Sequence, residues 1–231
     1  MSEGTGLGRF VVFEGPEGAG KSLQIERLSR RLSERGVAHV TTREPGGTAA
    51  AEAIREVILD RPELRLDGIA ELLLFSAARR AHVEEIIRPA LERGDVVLCD
   101  RFELSTRVYQ GWARRVPAET VERVTRAATG GLLPDLYLVI DVRVSVGLDR
   151  QWQNQEKTDQ LAFFAPPPDR IESEARSFRE RVRERYLELA ATDDRIEVVD
   201  GAGAPDEVER AILALLEERF PNPFRGPSFR L

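Results

Sequence analysis

The segment Gly15-Pro16-Glu17-Gly18-Ala19-Gly20-Lys21-Ser22 matches the pattern G-x-x-x-x-G-K-[ST] in full. Glycines in this pattern let the backbone turn tightly enough for its N–H groups to converge on phosphate oxygens. Lys21 supplies a positive charge for the β- and γ-phosphates, and the Ser22 hydroxyl can ligate Mg²⁺. The alternative is a chance glycine-rich turn, but the flanking sequence argues against it. The segment predicts a nucleoside triphosphate site that uses all eight residues.

The flanking pattern is that of a strand followed by a helix. Residues Arg9 to Glu14 are β-branched and aromatic, and Leu23, Ile25, Leu28 and Leu32 recur at roughly helical spacing. Similar alternation along the chain predicts an α/β fold, a five-stranded parallel sheet flanked by helices in three layers. The predicted strands are Phe10 to Glu14, Ala38 to Arg43, Val96 to Asp100, Leu136 to Asp141 and Ile196 to Asp200. The predicted helices are Lys21 to Glu34, Ala50 to Leu59, Ile69 to Glu92, Glu119 to Ala128, Val144 to Gln153, Arg170 to Ala191 and Asp206 to Phe220.

Length and composition favour one compact domain over residues 1–231. The chain has 231 residues, 42% of them hydrophobic, and its net charge of −6 does not suggest a surface for nucleic acid. Cys99 is the only cysteine, which excludes an intrachain disulfide and a cysteine-cluster metal site. Without a signal peptide or membrane span in the pattern, we expect a cytoplasmic protein. Residues 1–8 and 221–231 are expected to be flexible ends, and no helix is expected to continue through Pro221.

Polar residues follow the predicted strands at the sheet edge where open parallel sheets bind ligands. The second strand leads into Thr42-Arg43-Glu44-Pro45-Gly46-Gly47-Thr48, and the third into Asp100-Arg101. Asp100 can hold Mg²⁺ together with Ser22, and Arg101 can fork onto phosphate oxygens. The structural alternatives are an ion pair that closes the third strand and an exposed arginine in a turn after the second. Two arginines at separate strand ends suggest a second phosphate group.

Taken in order, these motifs closely resemble the thymidylate kinase family, from Phe10 to about Leu216. The markers are Phe13-Glu14-Gly15, the segment Thr42 to Thr48, Glu71-Leu72-Leu73-Leu74-Phe75-Ser76-Ala77-Ala78-Arg79, Asp100-Arg101, Tyr109-Gln110-Gly111, Pro134-Asp135-Leu136 and Asp169-Arg170-Ile171-Glu172. The resemblance implies transfer of the γ-phosphoryl group of ATP to dTMP, with Mg²⁺ as cofactor. It also implies a homodimer, for which the apolar segment Ile69 to Leu91 could supply the face.

The resemblance also implies residue roles for dTMP. Phe75 would stack on thymine, Arg79 would donate to the carbonyl edge of the base, Thr106 would contact the base, and Tyr109 would lie beneath the sugar. Glu17 would engage the sugar near its 3′-hydroxyl, and Arg43 and Arg101 would orient the acceptor phosphate. Without the resemblance, Phe75 reads as ordinary core and Arg79 as a solvated helix residue. Catalysis would rest on Lys21, Asp100 and Arg101, with no general base, so neither His39 nor His82 is needed.

Residues 150–170 correspond to the family's mobile lid, and they depart from its pattern. The first glycine-rich segment lacks an arginine, and the lid is long and poor in basic residues. Its cations are Arg150, Lys157 and Arg170. Arg150 is expected to contact ATP, and Lys157 is the candidate for the catalytic cation that arginine supplies elsewhere. Two other functions stay open on the residues: another nucleoside monophosphate or deoxynucleoside kinase, and a nucleotide-binding module with little catalysis.

Overall fold

The computed structural model describes residues 8–61, 63–153 and 171–224. Residues 154–170 lie outside this range, and so do the predictions for Lys157 and Arg170. Of the ends expected to be flexible, 1–8 and 221–231, residues 1–7 and 225–231 lie outside it as well.

The described chain contains one five-stranded sheet, in the order β2-β3-β1-β4-β5. The strands are β1 Arg9–Glu14, β2 His39–Arg43, β3 Val96–Asp100, β4 Leu136–Asp141 and β5 Ile196–Asp200, and every pair is parallel. Each lies within one residue of its predicted bounds. The register aligns Arg43 with Asp100 and Asp100 with Phe13, so the carboxyl ends of β1, β2 and β3 meet at one edge. The α/β fold class is confirmed.

Helices connect the strands and cover both faces of the sheet. They are α1 Lys21–Glu34, α2 Ala49–Leu59, α3 Gly68–His82, α4 Arg88–Glu92, α5 Glu103–Thr106, α6 Ala118–Thr129, α7 Val144–Gln153, α8 Ile171–Ala190, α9 Pro205–Arg219 and α10 Pro221–Phe224. Side chains of α1 and α9 pack with Val11 and Phe13 on one face. Side chains from the π-helical turn after α3, from α4 and from α8 pack with Phe10 and Val12 on the other.

The predicted helix over residues 69–92 is interrupted by a π-helical turn at Val83–Ile87. Pro89 lies in the first turn of α4. A proline has no N–H to donate to the carbonyl four residues before it, and its ring clashes with that carbonyl. The wider turn relieves this conflict, since the Arg88 N–H bonds to the Val83 carbonyl instead.

A second helical stretch has no counterpart among the predicted helices. It begins with α5 and continues as a π-helix over Arg107–Ala113. The α-helical part is four residues long, too short for a clear apolar period. This stretch carries Thr106 and Tyr109, and its residues Thr106, Val108 and Tyr109 are buried.

The C-terminal segment differs from the expected tail. Helix α9 ends before Pro221 as predicted, but Pro221–Phe224 form a further helical turn. Phe224 is fully buried and belongs to the same core cluster as Leu28 and Leu216. Apolar burial explains why the chain stays ordered here beyond the proline. Within the described ranges, no helix has the length and apolarity to cross a membrane.

Replacing Phe224 with alanine tests whether this turn is part of the core. We expect Phe224→Ala to lower the free energy of unfolding by about 3 to 5 kcal/mol, as for other buried phenylalanines. Chemical denaturation measures the change. The matched control is Leu133→Ala, because Leu133 is 51% exposed, and its effect should stay within about 0.5 kcal/mol. Equal, small effects of both changes would contradict a structural role for the turn.

Candidate functional site

Two glycines of the loop between β1 and α1 have both a strained backbone conformation and no room for a Cβ. Gly15 has φ 124° and Gly18 has φ 74°, both in the region that L side chains rarely adopt. A Cβ on Gly15 would lie 2.4 Å from the Ile140 carbonyl oxygen, and one on Gly18 would lie 2.2 Å from that of Gly147. The loop is therefore pressed between β4 and α7, and it ends where α1 directs its N-terminal N–H groups and positive dipole end towards the loop.

Lys21 folds back over this loop. Its Nζ donates to the carbonyl oxygens of Gly15, at 3.2 Å, and Pro16, at 3.1 Å. Burial first, and then the neighbouring charge of Arg101, lower the pKa of Lys21 to about 8, against the opposing effect of Asp100. Lys21 is thus a buried cation whose charge the nearby carboxylates offset only in part. Such a cation suits a site for an anion.

Ser22 and Asp100 meet in front of the loop. The Ser22 hydroxyl donates to Asp100 Oδ2 at 2.7 Å, so the start of α1 touches the end of β3. A hydroxyl and a carboxylate are hard oxygen ligands of the kind that Mg²⁺ prefers. Among the described residues there is no group of three or more histidine, cysteine, aspartate or glutamate side chains that could hold a metal.

A cleft opens beside the loop. It contains six of the seven residues that the sequence predicted for a monophosphate partner, although the glycine-rich loop, α3 and the stretch after β3 supply them. Its lining residues are Glu17, Glu44, Pro45, Leu59, Phe75, Arg79, Arg101, Phe102, Ser105, Thr106, Tyr109 and Gln110. Arg43 is the predicted residue that does not line the cleft.

Arg43 lies at the end of β2 but turns to a neighbouring helix. Its Nη2 donates to both carboxylate oxygens of Glu52, at 3.0 and 3.1 Å, and the side chain is half exposed. Glu52 also accepts from the Gly47 backbone N–H at 2.9 Å. The structure therefore shows the exposed-turn alternative for this side chain, although the register keeps its backbone beside Asp100.

Arg101 has its guanidinium at the wall of the cleft. Its backbone has φ 70°, an unusual conformation for a residue with a Cβ. Its Nη1 donates to the Ser105 hydroxyl at 3.0 Å and to the Tyr186 hydroxyl at 3.2 Å, and its guanidinium lies 5.5 Å from the centre of the Tyr109 ring. These contacts hold one orientation of the arginine before any ligand binds.

Glu14 is the residue behind Arg101, and sequence analysis gave it no role beyond membership of a motif. It is fully buried, and its carboxylate accepts from the backbone N–H groups of Phe102 and Ser105 and from the hydroxyls of Ser105 and Tyr186, at 2.7 to 3.1 Å. Burial raises the pKa of Glu14, while Arg101, 3.9 Å away, and the hydrogen bonds oppose that rise. A glutamate at the end of an apolar strand was the only signal in the sequence.

On the other side of the loop, Arg150 lies beside the turn that follows β5. Its Nη2 is 3.5 Å from the carbonyl oxygens of Ala202 and Gly203. Another arginine, Arg179 of α8, was missed by sequence analysis, which considered only Arg150, Lys157 and Arg170. Burial lowers the pKa of Arg179, whereas Glu17 and Tyr109, two residues of the cleft, raise it. Its position in a plain amphipathic helix gave no signal.

Known proteins resemble this chain over nearly its whole length. The family model described as thymidylate kinase matches residues 13–212. The thymidylate kinase of Symbiobacterium thermophilum is 45% identical over 96% of this chain and 98% of its own. That of Deinococcus radiodurans is 41% identical over 92% and 98%. A crystal structure of thymidylate kinase from Ehrlichia chaffeensis has a TM-score of 0.70, with 27% identity over 90% of this chain and 98% of that one.

The pKa of Lys21 predicts proton uptake when a polyphosphate binds. Bound phosphate raises the lysine pKa above its free value of about 8, so the complex holds more protons than the free protein at higher pH, and affinity falls as pH rises past that value. Titration calorimetry with ADP at pH about 8.5, in buffers of different ionisation enthalpy, should show uptake of about 0.7 proton.

Lys21→Arg is the matched control for this titration, because a guanidinium stays charged throughout the range. The uptake should vanish in this variant. Uptake that persists in Lys21→Arg, or that is absent from the unaltered protein, would contradict the assignment to Lys21.

Proposed function

The chain belongs to the thymidylate kinase family, and we propose that its glycine-rich loop seats ATP while the adjoining cleft seats dTMP. As an ATP-dependent nucleoside monophosphate kinase, the protein transfers the γ-phosphoryl group of ATP to dTMP, which gives dTDP and ADP. The observation that carries the assignment of the two sites is their junction. Arg101 lines the cleft and also perturbs the pKa of Lys21 in the loop.

For the donor, we assign Gly15 to Ser22 and Arg150. The backbone N–H groups of the loop and the N-terminus of α1 would surround the phosphates, and Lys21 would leave its two carbonyl partners for the β- and γ-phosphates. Arg150 would border the adenine together with the turn at Ala202 and Gly203, because its guanidinium already lies beside that turn.

For the acceptor, we assign Glu17, Phe75, Arg79, Arg101, Thr106 and Tyr109. Phe75 and Arg79 are one helical turn apart on α3 and line the same cleft. An aromatic ring and a donor on one helix face suit a pyrimidine ring and its carbonyl edge. Tyr109 lies beneath the Arg101 guanidinium, where a sugar next to the acceptor phosphate would meet its ring. Arg43 would join the acceptor phosphate only after release from Glu52.

Mg²⁺ fits the pair of Ser22 and Asp100. We propose that these residues hold the ion, directly or through water, and that it neutralises charge on the phosphates when bound. The short hydrogen bond between their side chains keeps both oxygens at one point.

The reaction needs positioning and charge more than proton transfer. An oxygen of the dTMP phosphate attacks the γ-phosphorus in line, and the bond to the ADP oxygen breaks. A phosphate monoester dianion is already a nucleophile, so we assign no general base. Lys21 and Arg101 would meet the charge that develops between the two nucleotides, with Asp100 placing the ion. Lys157 stays a prediction from the sequence as a further catalytic cation.

Family membership does not favour the other nucleoside monophosphate or deoxynucleoside kinases, nor a module with little catalysis. A coupled assay of ADP release tests the choice. We expect turnover with dTMP and Mg²⁺ but none with thymidine, and a loss of at least about a hundredfold in Lys21→Ala with the fold retained, because the cation acts on the transferred phosphates.

Arg30→Ala is the control for that assay, because Arg30 is an exposed residue of α1 with a 62% exposed side chain, and it should retain full turnover. Phosphorylation of thymidine rather than dTMP would replace the proposed reaction. Full activity of Lys21→Ala would remove the lysine from it.

We also propose a cytoplasmic homodimer, with α3 at the interface. Ile69 and Leu73 lie on one face of α3 and are 50% and 54% exposed, unusual values for large apolar side chains one turn apart. Leu73→Glu would bury a charge at that interface, so we expect sedimentation equilibrium to report a dimer for the unaltered chain and a monomer for the variant. Leu133→Glu, at a similarly exposed leucine, should stay dimeric. A monomeric unaltered chain would contradict the proposal.

A further inference from the structure

A chain of hydrogen bonds extends from Arg79 to side chains that have no role in the proposed reaction. Arg79 Nε donates to Glu44 Oε2 at 2.7 Å, and Glu44 Oε1 lies 3.0 Å from Nδ1 of His82. His82 Nε2 lies 2.6 Å from the Thr42 hydroxyl oxygen. Thr42 and Glu44 flank the end of β2, whereas Arg79 and His82 lie on α3, so the chain connects two elements.

The contacts form a consistent set of donors and acceptors. Glu44 accepts from Arg79 and also from His82 when the imidazole carries its proton on Nδ1, and Nε2 then accepts from the Thr42 hydroxyl. Glu44, Arg79 and His82 are 7%, 2% and 0% exposed.

Packing fixes the end of this hydrogen-bond chain that is formed by Thr42 and His82. Gly47 has φ 89°, and a Cβ there would lie 2.8 Å from the Thr42 hydroxyl oxygen and 2.9 Å from Cδ2 of His82. The loop after β2 therefore closes directly over the pair of Thr42 and His82. The imidazole cannot swing away without moving that loop.

Arg79, at the other end of this hydrogen-bond chain, has one unused donor. Arg79 Nη1 is buried and has no hydrogen-bond partner within the part of the chain that the structure describes. The guanidinium lies 5.2 Å from the centre of the Phe102 ring and lines the cleft. A buried, unpaired donor is unfavourable, and an acceptor on a molecule in the cleft would satisfy it.

We propose that His82 and Glu44 are positioning residues that set the base specificity of the kinase by fixing Arg79. The inference deepens the proposed function, since it rests on the placement of the base against Arg79. Thymine presents a carbonyl acceptor where cytosine presents an amino donor. A donor held in one place accepts the first base and rejects the second, whereas a mobile arginine can turn away from the amino group.

Steady-state kinetics with dTMP and dCMP tests the proposal. In His82→Leu, we expect the ratio of kcat/KM for dTMP to that for dCMP to fall about tenfold or more, because Glu44 loses a buried donor and Arg79 its fixed partner. The KM for ATP should not change. His82→Asn should recover much of the ratio, because its amide can donate to Glu44 from near the position of Nδ1.

His39→Leu is the matched control. His39 also has two partners, the Ser29 hydroxyl at 2.8 Å and the Val37 carbonyl at 2.9 Å, but it is not among the cleft residues. The ratio should equal that of the unaltered protein in this variant. Glu44→Gln and Thr42→Val provide the same test if His82→Leu does not fold, with a larger fall expected for Glu44→Gln.

The outcomes distinguish this proposal from the proposed function on which it rests. A loss of stability or of activity towards both nucleotides in equal proportion, with the ratio unchanged, would overturn the positioning role. A fall in the ratio that His82→Asn does not reverse would leave only a packing effect and would also overturn it. If the unaltered protein shows no dTMP-dependent ADP release, or no preference for dTMP over dCMP, the assignment of the cleft itself fails.

Discussion

The rest of the site depends on the contacts that surround the buried carboxylate of Glu14. A charge removed from water is costly unless hydrogen bonds and an opposite charge replace its hydration. Here two backbone N–H groups, two hydroxyls and Arg101 do so, and they come from the segment after β3 and from α8. The first N–H groups of a helix have no partner within it, and Glu14 binds those at the start of α5. One side chain on the central strand thus sets where the helical stretch begins, and the unusual backbone of Arg101 lies within that arrangement.

This arrangement couples the two halves of the site electrostatically. Arg101, held by Glu14 and its neighbours, lies near enough to Lys21 to lower the pKa of the lysine. Two cations at one junction repel each other in the free protein, and two phosphate groups relieve that repulsion when they bind. Asp100 and Glu17 moderate it beforehand. The same charges that make the empty site costly therefore make it receptive to a pair of anionic nucleotides.

The sequence predicts the sheet well because β1, β3 and β4 are short apolar runs, the pattern of strands buried on both faces of a parallel sheet. It predicts the cleft less completely. Glu14 was passed over because a carboxylate that ends a strand gives no sign of the donors that will surround it. The stretch over Glu103–Ala113 was missed because a four-residue helix followed by π-helical turns lacks a regular period. Arg43 could not be placed, since its choice between Glu52 and a ligand depends on spacing that appears only in the fold.

Both arginines of the cleft are held by the same kind of contacts, a carboxylate and an aromatic ring. Arg79 has Glu44 at 2.7 Å and lies over Phe102, and Arg101 has Glu14 at 3.9 Å and lies over Tyr109. Each carboxylate stands at or just after the end of a strand, so the sheet positions both. An arginine has many rotamers, and their loss on binding costs about 0.5 to 1.5 kcal/mol for each side chain ordered. Here the rotamer entropy is lost when the protein folds and not when a ligand binds, because the carboxylate and the aromatic ring already fix each guanidinium. A ligand then meets donors already in place, so binding can distinguish acceptors by position.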